Sequence, residues 1–291
     1  MPQLALKVIR PLVRASSTVS PRLAGRLAFR LFCTPIGHAP VNRKSAGIRR
    51  AETLFAKGHT SLVTHGCGYV RTVQFEPEGK SRGTVLVLHG WTGQGLFMAG
   101  FVEPLLAHGY SVIVMDMPAH GGSSGRLLTF PIAIEAVTAV VRGVQPLAGI
   151  IAHSFGGSVA AAAMAGAIDA YPAVRAKKLV SIAAPAQMHV YGKQFAETLG
   201  LTRRGHQAFE DRVMEIAGRP MNSFLGRDFI ATSRAEALII HASDDREIPI
   251  SDAEDLAFAP KARLMRVEGL GHRRILVSPE VQQAAADFIA G

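Results

Sequence analysis

The 291-residue chain predicts an α/β protein with a mostly parallel central sheet and helices on both faces. Short continuous apolar runs, such as Thr84–Leu88 and Ser111–Met115, read as strands buried on both faces. Amphipathic stretches of helical length alternate with them, which implies parallel crossovers. Unusual polar residues cluster just after the apolar runs, where open α/β sheets bind ligands. The composition agrees: 48% hydrophobic and 19% charged residues describe a globular chain rather than a disordered one. The length suits one large core, or one core plus a small insertion.

Residues 69–75 alternate and predict a hairpin-like strand. Thr84–Leu88 follows as a buried strand, 101–108 as a helix, and Ser111–Met115 as the next buried strand. Residues 132–141 are helical, 149–152 form a strand, and this runs straight into a small-residue helix over 156–167. Further strands fall at 178–182, 237–240 and 264–267, and an amphipathic helix at 282–289 closes the chain. Residues 187–233 break the rhythm with helical patches carrying Phe209, Met214, Phe224 and Phe229, as a small helical cap insertion over the sheet would. The expected division is an N-terminal helical extension at 1–60, a core at 61–186 and 234–291, and the insertion at 187–233. There is no internal repeat and no low-complexity segment.

The net charge of +10 is local. No acidic residue precedes Glu52, whereas Lys7, Arg10, Arg14, Arg22, Arg26, Arg30, Arg43, Lys44, Arg49 and Arg50 do. The remainder holds 22 basic and 22 acidic residues and is neutral. Arg22, Arg26 and Arg30 would share one face of a helix that Ser20 caps and Pro21 starts, with Leu23, Leu27, Leu31 and Phe32 on the other side. The expectation is that the apolar side packs on the domain. Contact with an anionic membrane surface and a cleaved targeting peptide stay open as alternatives. Lys7, Arg10 and Pro11 interrupt any secretory apolar region. Nucleic acid is not an expected partner, because the basic residues are not interleaved with stacking aromatics and the body is neutral. Cys33 and Cys67 form no disulfide framework and fit a reducing, cytoplasmic setting. Eleven histidines show no His-x-x-x-His pair and no cluster, so no metal is expected.

Five segments carry chemistry. They are His89-Gly90-Trp91-Thr92, Asp116-Met117-Pro118-Ala119-His120-Gly121, Ala152-His153-Ser154-Phe155-Gly156, Asp244-Asp245-Arg246-Glu247-Ile248-Pro249 and Gly269-Leu270-Gly271-His272. A serine on a sharp strand-to-helix turn needs small neighbours, and Ser154 has Ala152 and Gly156 two residues to either side. The following helix N-terminus favours the negative charge of an oxyanion. The backbone N–H groups of Phe155 and Trp91 are the expected donors. Serine needs a base, for which His272 is the candidate, and an acid to orient that base, for which Asp245 is the candidate and Asp244 the fallback. His89 and His120 are expected to brace loops, Asp116 to hold a turn, and His153 to face away from the nucleophile's side as a structural residue.

These five segments, in this order, resemble the α/β-hydrolase superfamily in its esterase, lipase and serine-aminopeptidase-like branch, over about residues 65–291. The resemblance implies the α/β-hydrolase fold and matches Asp245 to the acid position, because Pro249 follows at the family's interval. Ala152 departs from the glycine the family usually carries there. A serine nucleophile argues against relatives that use aspartate or cysteine, and Thr92 stands where epoxide hydrolases carry proline.

The leading expectation is a serine carboxylic ester hydrolase working through an acyl-enzyme, with no cofactor. Thioester or amide cleavage, or acyl transfer, by the same triad is the alternative. A binding protein with a silent triad is the alternative of another class. The expected partner is a small-molecule ester; the phenylalanines and methionines of the insertion either suggest an apolar portion in it or form only the core of the cap. Sequence does not set the oligomeric state.

Overall fold

A computed structural model describes residues 3–36, 42, 44–144 and 146–291, with the backbone alone for 3–8. Arg43 and the side chain of Lys7 lie outside the described residues. In chain order the elements are α1 (Gln3–Val19), α2 (Pro21–Phe32), α3 (Ala46–Phe55), β1 (His59–His65), β2 (Gly68–Phe75), β3 (Thr84–Leu88), α4 (Val102–Ala107), β4 (Ser111–Met115), α5 (Phe130–Val140), β5 (Leu147–His153), α6 (Phe155–Ala165) and β6 (Ala176–Ile182). There follow α7 (Met188–Leu199), α8 (Arg203–Ala217), α9 (Gly226–Ser233), β7 (Glu236–Ala242), α10 (Ile250–Ala257), β8 (Ala262–Val267), α11 (Gly271–Arg274) and α12 (Pro279–Ala290). A 3₁₀ turn at Gly95–Phe101 occupies the start of the segment expected as a helix at 101–108 and leads into α4. No described helix is long and apolar enough to cross a membrane.

The chain divides into two compact units. The larger spans residues 35–186 and 226–291 and contains an eight-stranded sheet in the order β1-β2-β4-β3-β5-β6-β7-β8. β1, β2 and β4 pair antiparallel, and β4 through β8 pair parallel. β3, β4 and β5 are central and almost wholly buried, whereas the outermost β1 has no buried residue. Residues on β3 alternate by the two-residue period of a strand. Val85 and Val87 join a core layer with Ile151, Val180 and Ile240, closed by Phe55 of α3, Phe101, and Val281 and Ile289 of α12. Helix α6 packs against α5 and α9. The small side chains read as a tightly packed helix are indeed buried along most of α6. The chain leaves this unit after Ala186 and re-enters at Gly226, whose N–H donates to the Ala186 carbonyl at 2.7 Å.

The smaller unit is helical and joins residues 1–34 with 187–225. The expected boundaries at 60 and 233 therefore shift. α3 belongs to the sheet unit, where Ala51 and Phe55 are core residues, and α9 belongs there too. Helix α2 does begin at Pro21 after Ser20, but the Ser20 side chain makes no capping bond. Its buried face is Ala24, Gly25, Ala28 and Phe29, not the expected leucine side; Leu23 and Leu27 are 56% and 57% exposed. The reason is close approach: a Cβ on Gly25 would sit 2.6 Å from the Ala208 carbonyl carbon of α8. Phe209 is fully buried among the rings of Phe29, Phe32 and Phe195. Thr202 caps α8 through the Gly205 N–H (3.2 Å), and its hydroxyl meets that of the fully buried Ser17 at 2.7 Å.

Phe209→Ala empties the aromatic centre of the helical unit and is expected to cost about 3–5 kcal/mol. Truncation of exposed Leu12 to alanine should stay within about 0.5 kcal/mol. Urea denaturation of the full chain checks both.

Candidate active site

Every residue of the expected triad follows the carboxyl end of a strand. Ser154 joins β5 to α6, Asp245 follows β7, and His272 lies in α11 after β8. Ser154 has φ +51° and ψ −126°, a conformation that L side chains rarely adopt. Close packing holds it there. A Cβ on Gly156 would lie 2.5 Å from the His89 carbonyl oxygen, and one on Gly157 2.7 Å from the Ala184 Cβ. A Cβ on Gly90 would lie 2.8 Å from that of Ser154, so the loop after β3 passes directly against the serine turn. Ala152 is fully buried at the end of β5, where its methyl group is accommodated.

His272 Nε2 lies 3.0 Å from Ser154 Oγ, and His272 Nδ1 lies 2.8 Å from Asp245 Oδ2. Asp245 Oδ1 accepts the backbone N–H groups of Glu247 (2.8 Å) and Ile248 (3.0 Å). Burial opposes ionisation of Asp245. The hydrogen bonds from His272, Ile248 and Glu247 outweigh it and hold the carboxyl below its ordinary range. An ionised Asp245 accepts Nδ1–H, which leaves Nε2 as the free base facing Ser154 Oγ. Asp244 is not in this relay; its Oδ1 accepts the Gly271 N–H at 3.1 Å and shapes the turn that presents His272.

Phe155 opens α6, where the first N–H groups have no intrahelical acceptor. Trp91 follows Gly90, and its ring meets that of Phe155 edge-on at 5.4 Å. His89 donates from Nδ1 to the Gly90 carbonyl (2.8 Å) and accepts the Met117 N–H at Nε2 (2.9 Å). His120 donates to the Pro118 carbonyl (2.9 Å) and accepts the Thr92 N–H (3.1 Å). Asp116 accepts the N–H groups of Gly95 (2.6 Å) and Gly122 (2.9 Å). These three residues tie the loops after β3 and β4 to each other.

His153 is a structural residue, as expected, but its place is beside the candidate base. It does not face away from the catalytic constellation: its Nε2–H donates to the His272 carbonyl at 2.9 Å, and the two rings lie 4.8 Å apart. Burial, reinforced by the adjacent His272, pushes its pKa down to about 3. It is therefore a neutral strut under the candidate base. Buried His241 makes a similar brace, donating to the Ile248 carbonyl at 2.9 Å beside Asp245. Both are ordinary strand-end histidines in sequence, and only their partners reveal a role.

Ser154 and His272 open onto a cavity of about 1060 Å³ within the sheet unit. Its apolar wall comes from Ile48 and Leu54 of α3, from Leu96 and Phe97, and from Leu276 and Val277. Of the two readings of the insertion's phenylalanines, the structure bears out the core rather than the cavity lining. Phe209 and Phe224 are core residues of the helical unit, Phe229 is buried in α9, and Met214 is 48% exposed. Among the described residues one group offers metal-ligating atoms, His65, Cys67 and Glu135, within 4.8 Å of one another. Sequence spacing hid it because Glu135 comes from α5 while the other two flank the β1–β2 turn. Both Glu135 oxygens already have partners there, the Gly66 N–H (3.0 Å) and His65 Nδ1 (3.2 Å).

A model of the alpha/beta hydrolase family matches residues 85–286. A serine hydrolase-like protein of Danio rerio is 39% identical over 89 residues; the match covers 28% of this chain and 27% of that protein, so the chain spans about a quarter of its length. Among solved structures, Est1E from Butyrivibrio proteoclasticus superposes with a TM-score of 0.63 at 19% identity, covering 80% of this chain and 98% of that one. The thioesterase domain from the curacin biosynthetic pathway superposes with a TM-score of 0.57 at 14% identity, covering 80% and 99%. At those identities the likeness is one of fold. The family match reaches from β3 to α12 and contains the serine turn, the acid and the histidine, and by it this chain belongs to the alpha/beta hydrolase family.

Proposed function

We propose that the chain is a serine hydrolase that cleaves carboxylic esters through an acyl-enzyme. The observation that carries this reading is the unbroken relay from Asp245 through His272 to Ser154, at 2.8 and 3.0 Å, opening on a partly apolar cavity. His272 Nε2 takes the Ser154 hydroxyl proton as Oγ attacks the ester carbonyl. Asp245 stabilises the imidazolium. The oxyanion accepts the N–H groups of Trp91 and Phe155, a type of contact worth on the order of 3 kcal/mol per donor. Collapse of the intermediate passes the His272 proton to the departing alkoxide, releasing the alcohol and leaving Ser154 acylated. Water then adds by the same base, releasing the acid and restoring Oγ–H. No step calls for a cofactor. The apolar wall formed by α3, Leu96 and Phe97 favours an ester with an apolar portion. The free thiols of Cys33 and Cys67 support a reducing, cytoplasmic setting.

A fluorophosphonate probe should label the protein at Ser154, and Ser154→Ala should lose at least about 10³-fold in ester turnover. Full activity of that variant, or folded protein that never takes the probe, removes the assignment. Turnover of matched ester, thioester and amide substrates ranks the reaction class.

The two neighbouring aspartates should separate sharply. Asp245→Asn exchanges an ionised acceptor for an amide and should lower kcat by about 10³–10⁴-fold. Asp244→Asn keeps an acceptor for the Gly271 N–H and should stay within about threefold.

His153 ties stability to pH. In an unfolded chain a histidine takes up its proton near pH 6.5, whereas here it stays neutral down to about 3. Below about pH 6.5 the unfolded chain therefore binds more protons, and stability falls as pH falls. Between about pH 7 and pH 5 the loss should be on the order of 2 kcal/mol. His153→Gln keeps a donor toward the His272 carbonyl and removes the titration, so its melting temperature should fall less over the same interval.

A further inference from the structure

We propose that the exposed face of α2 docks on an anionic lipid bilayer. The inference stands on the helical unit alone and does not depend on the ester-hydrolase reading.

Helix α2 buries its small side chains and Phe29, and this leaves Arg22, Leu23, Arg26, Leu27 and Arg30 on the exposed side. These positions recur at helical spacing, so leucines and arginines share one face instead of lying on opposite ones. In α1, Leu12 is 66% exposed and Val19 87% exposed, with Arg10 and Arg14 also exposed. Scattered exposed apolar residues are ordinary, but two leucines set among three arginines on one helix face are not.

No acidic residue stands among these leucines and arginines. Among the described residues, none of these five arginines forms an ion pair. Some exposed arginines elsewhere do have acidic partners: Arg50 meets Glu103 at 2.6 Å, Arg266 meets Glu254 at 2.7 Å, and Arg273 meets Glu247 at 3.1 Å. The helical unit holds eleven basic and four acidic residues, against a nearly balanced sheet unit. A surface with unpaired guanidinium groups around exposed leucines matches a bilayer interface, where phosphates meet the arginines and the acyl boundary receives the leucines. A nucleic-acid groove would leave the leucines unexplained, since they offer bases neither stacking nor hydrogen bonds.

Vesicle flotation of the full chain tests this. Vesicles of phosphatidylcholine with about one third phosphatidylglycerol should carry the protein, and phosphatidylcholine alone should not. Raising NaCl from about 0.05 to 0.5 M should release most of it. Replacing Arg22, Arg26 and Arg30 together by Gln should weaken binding by about 10²-fold, roughly fivefold per arginine. Leu23→Ser with Leu27→Ser should weaken it by about tenfold or more. All five positions are exposed, so both variants should retain the wild-type urea midpoint. As a reading that needs no loss of binding, tryptophan in Leu27→Trp should shift to the blue on anionic vesicles. No flotation, equal flotation on neutral vesicles, or binding that ignores both sets of substitutions overturns the proposal. So does tight binding of short duplex DNA without vesicle binding, which assigns the surface to nucleic acid.

Discussion

The turn between β5 and α6 holds a non-glycine residue at φ +51°, and much of the sheet unit is arranged around keeping it there. The strain is tolerated because the turn is crowded from several sides. Gly90, Gly156 and Gly157 bring neighbouring backbone and side chains closer than any Cβ would allow. The Ser154 N–H donates to the Ile182 carbonyl at 2.8 Å, so the adjacent strand β6 also clamps the turn. What this confinement yields is a hydroxyl fixed above the sheet edge, within reach of a base that no local segment supplies. Preorganisation of this kind lowers the reorganisation needed when charge develops.

The second constraint is electrostatic. A buried carboxylate is costly unless its oxygens are satisfied, and Asp245 receives two backbone N–H groups and one imidazole N–H. That arrangement sets the histidine tautomer as a consequence. The histidines around it divide by partner. His272 faces the serine, whereas His89 and His120 use both nitrogens on backbone groups, and His153 and His241 each brace a backbone carbonyl through Nε2. One residue type thus serves both as the candidate base and as the mortar of its loops, and burial keeps His153 neutral.

The helical unit illustrates how helix pairing overrides an amphipathic pattern. On α2 the leucines are the obvious apolar stripe, yet Ala24, Gly25 and Ala28 are buried instead. Small residues let two helix axes approach closely, and one aromatic centre, Phe209 among three other rings, then fills the contact. The leucines are released to the surface, and with them goes the simplest reading of the basic extension as a polar face.

The sheet was legible because a strand buried on both faces needs a continuous apolar run, and each core strand from β3 onward has one at its centre. The chemistry was legible because strand-end glycines, prolines and reactive side chains keep fixed intervals within single segments: the serine with its small neighbours, Asp245 with Pro249, and His272 after Gly271. What only the tertiary structure decided are pairings between distant segments. That Asp245 rather than Asp244 meets His272 depends on which way each carboxyl leaves a tight turn. That His153 supports His272 depends on two strand ends lying side by side, 119 residues apart in sequence. That residues 1–34 share a unit with 187–225, and that α3 walls the cavity, depends on close packing of surfaces whose patterns are compatible with several partners. Local periodicity records which face of a segment is apolar; it does not record what that face meets.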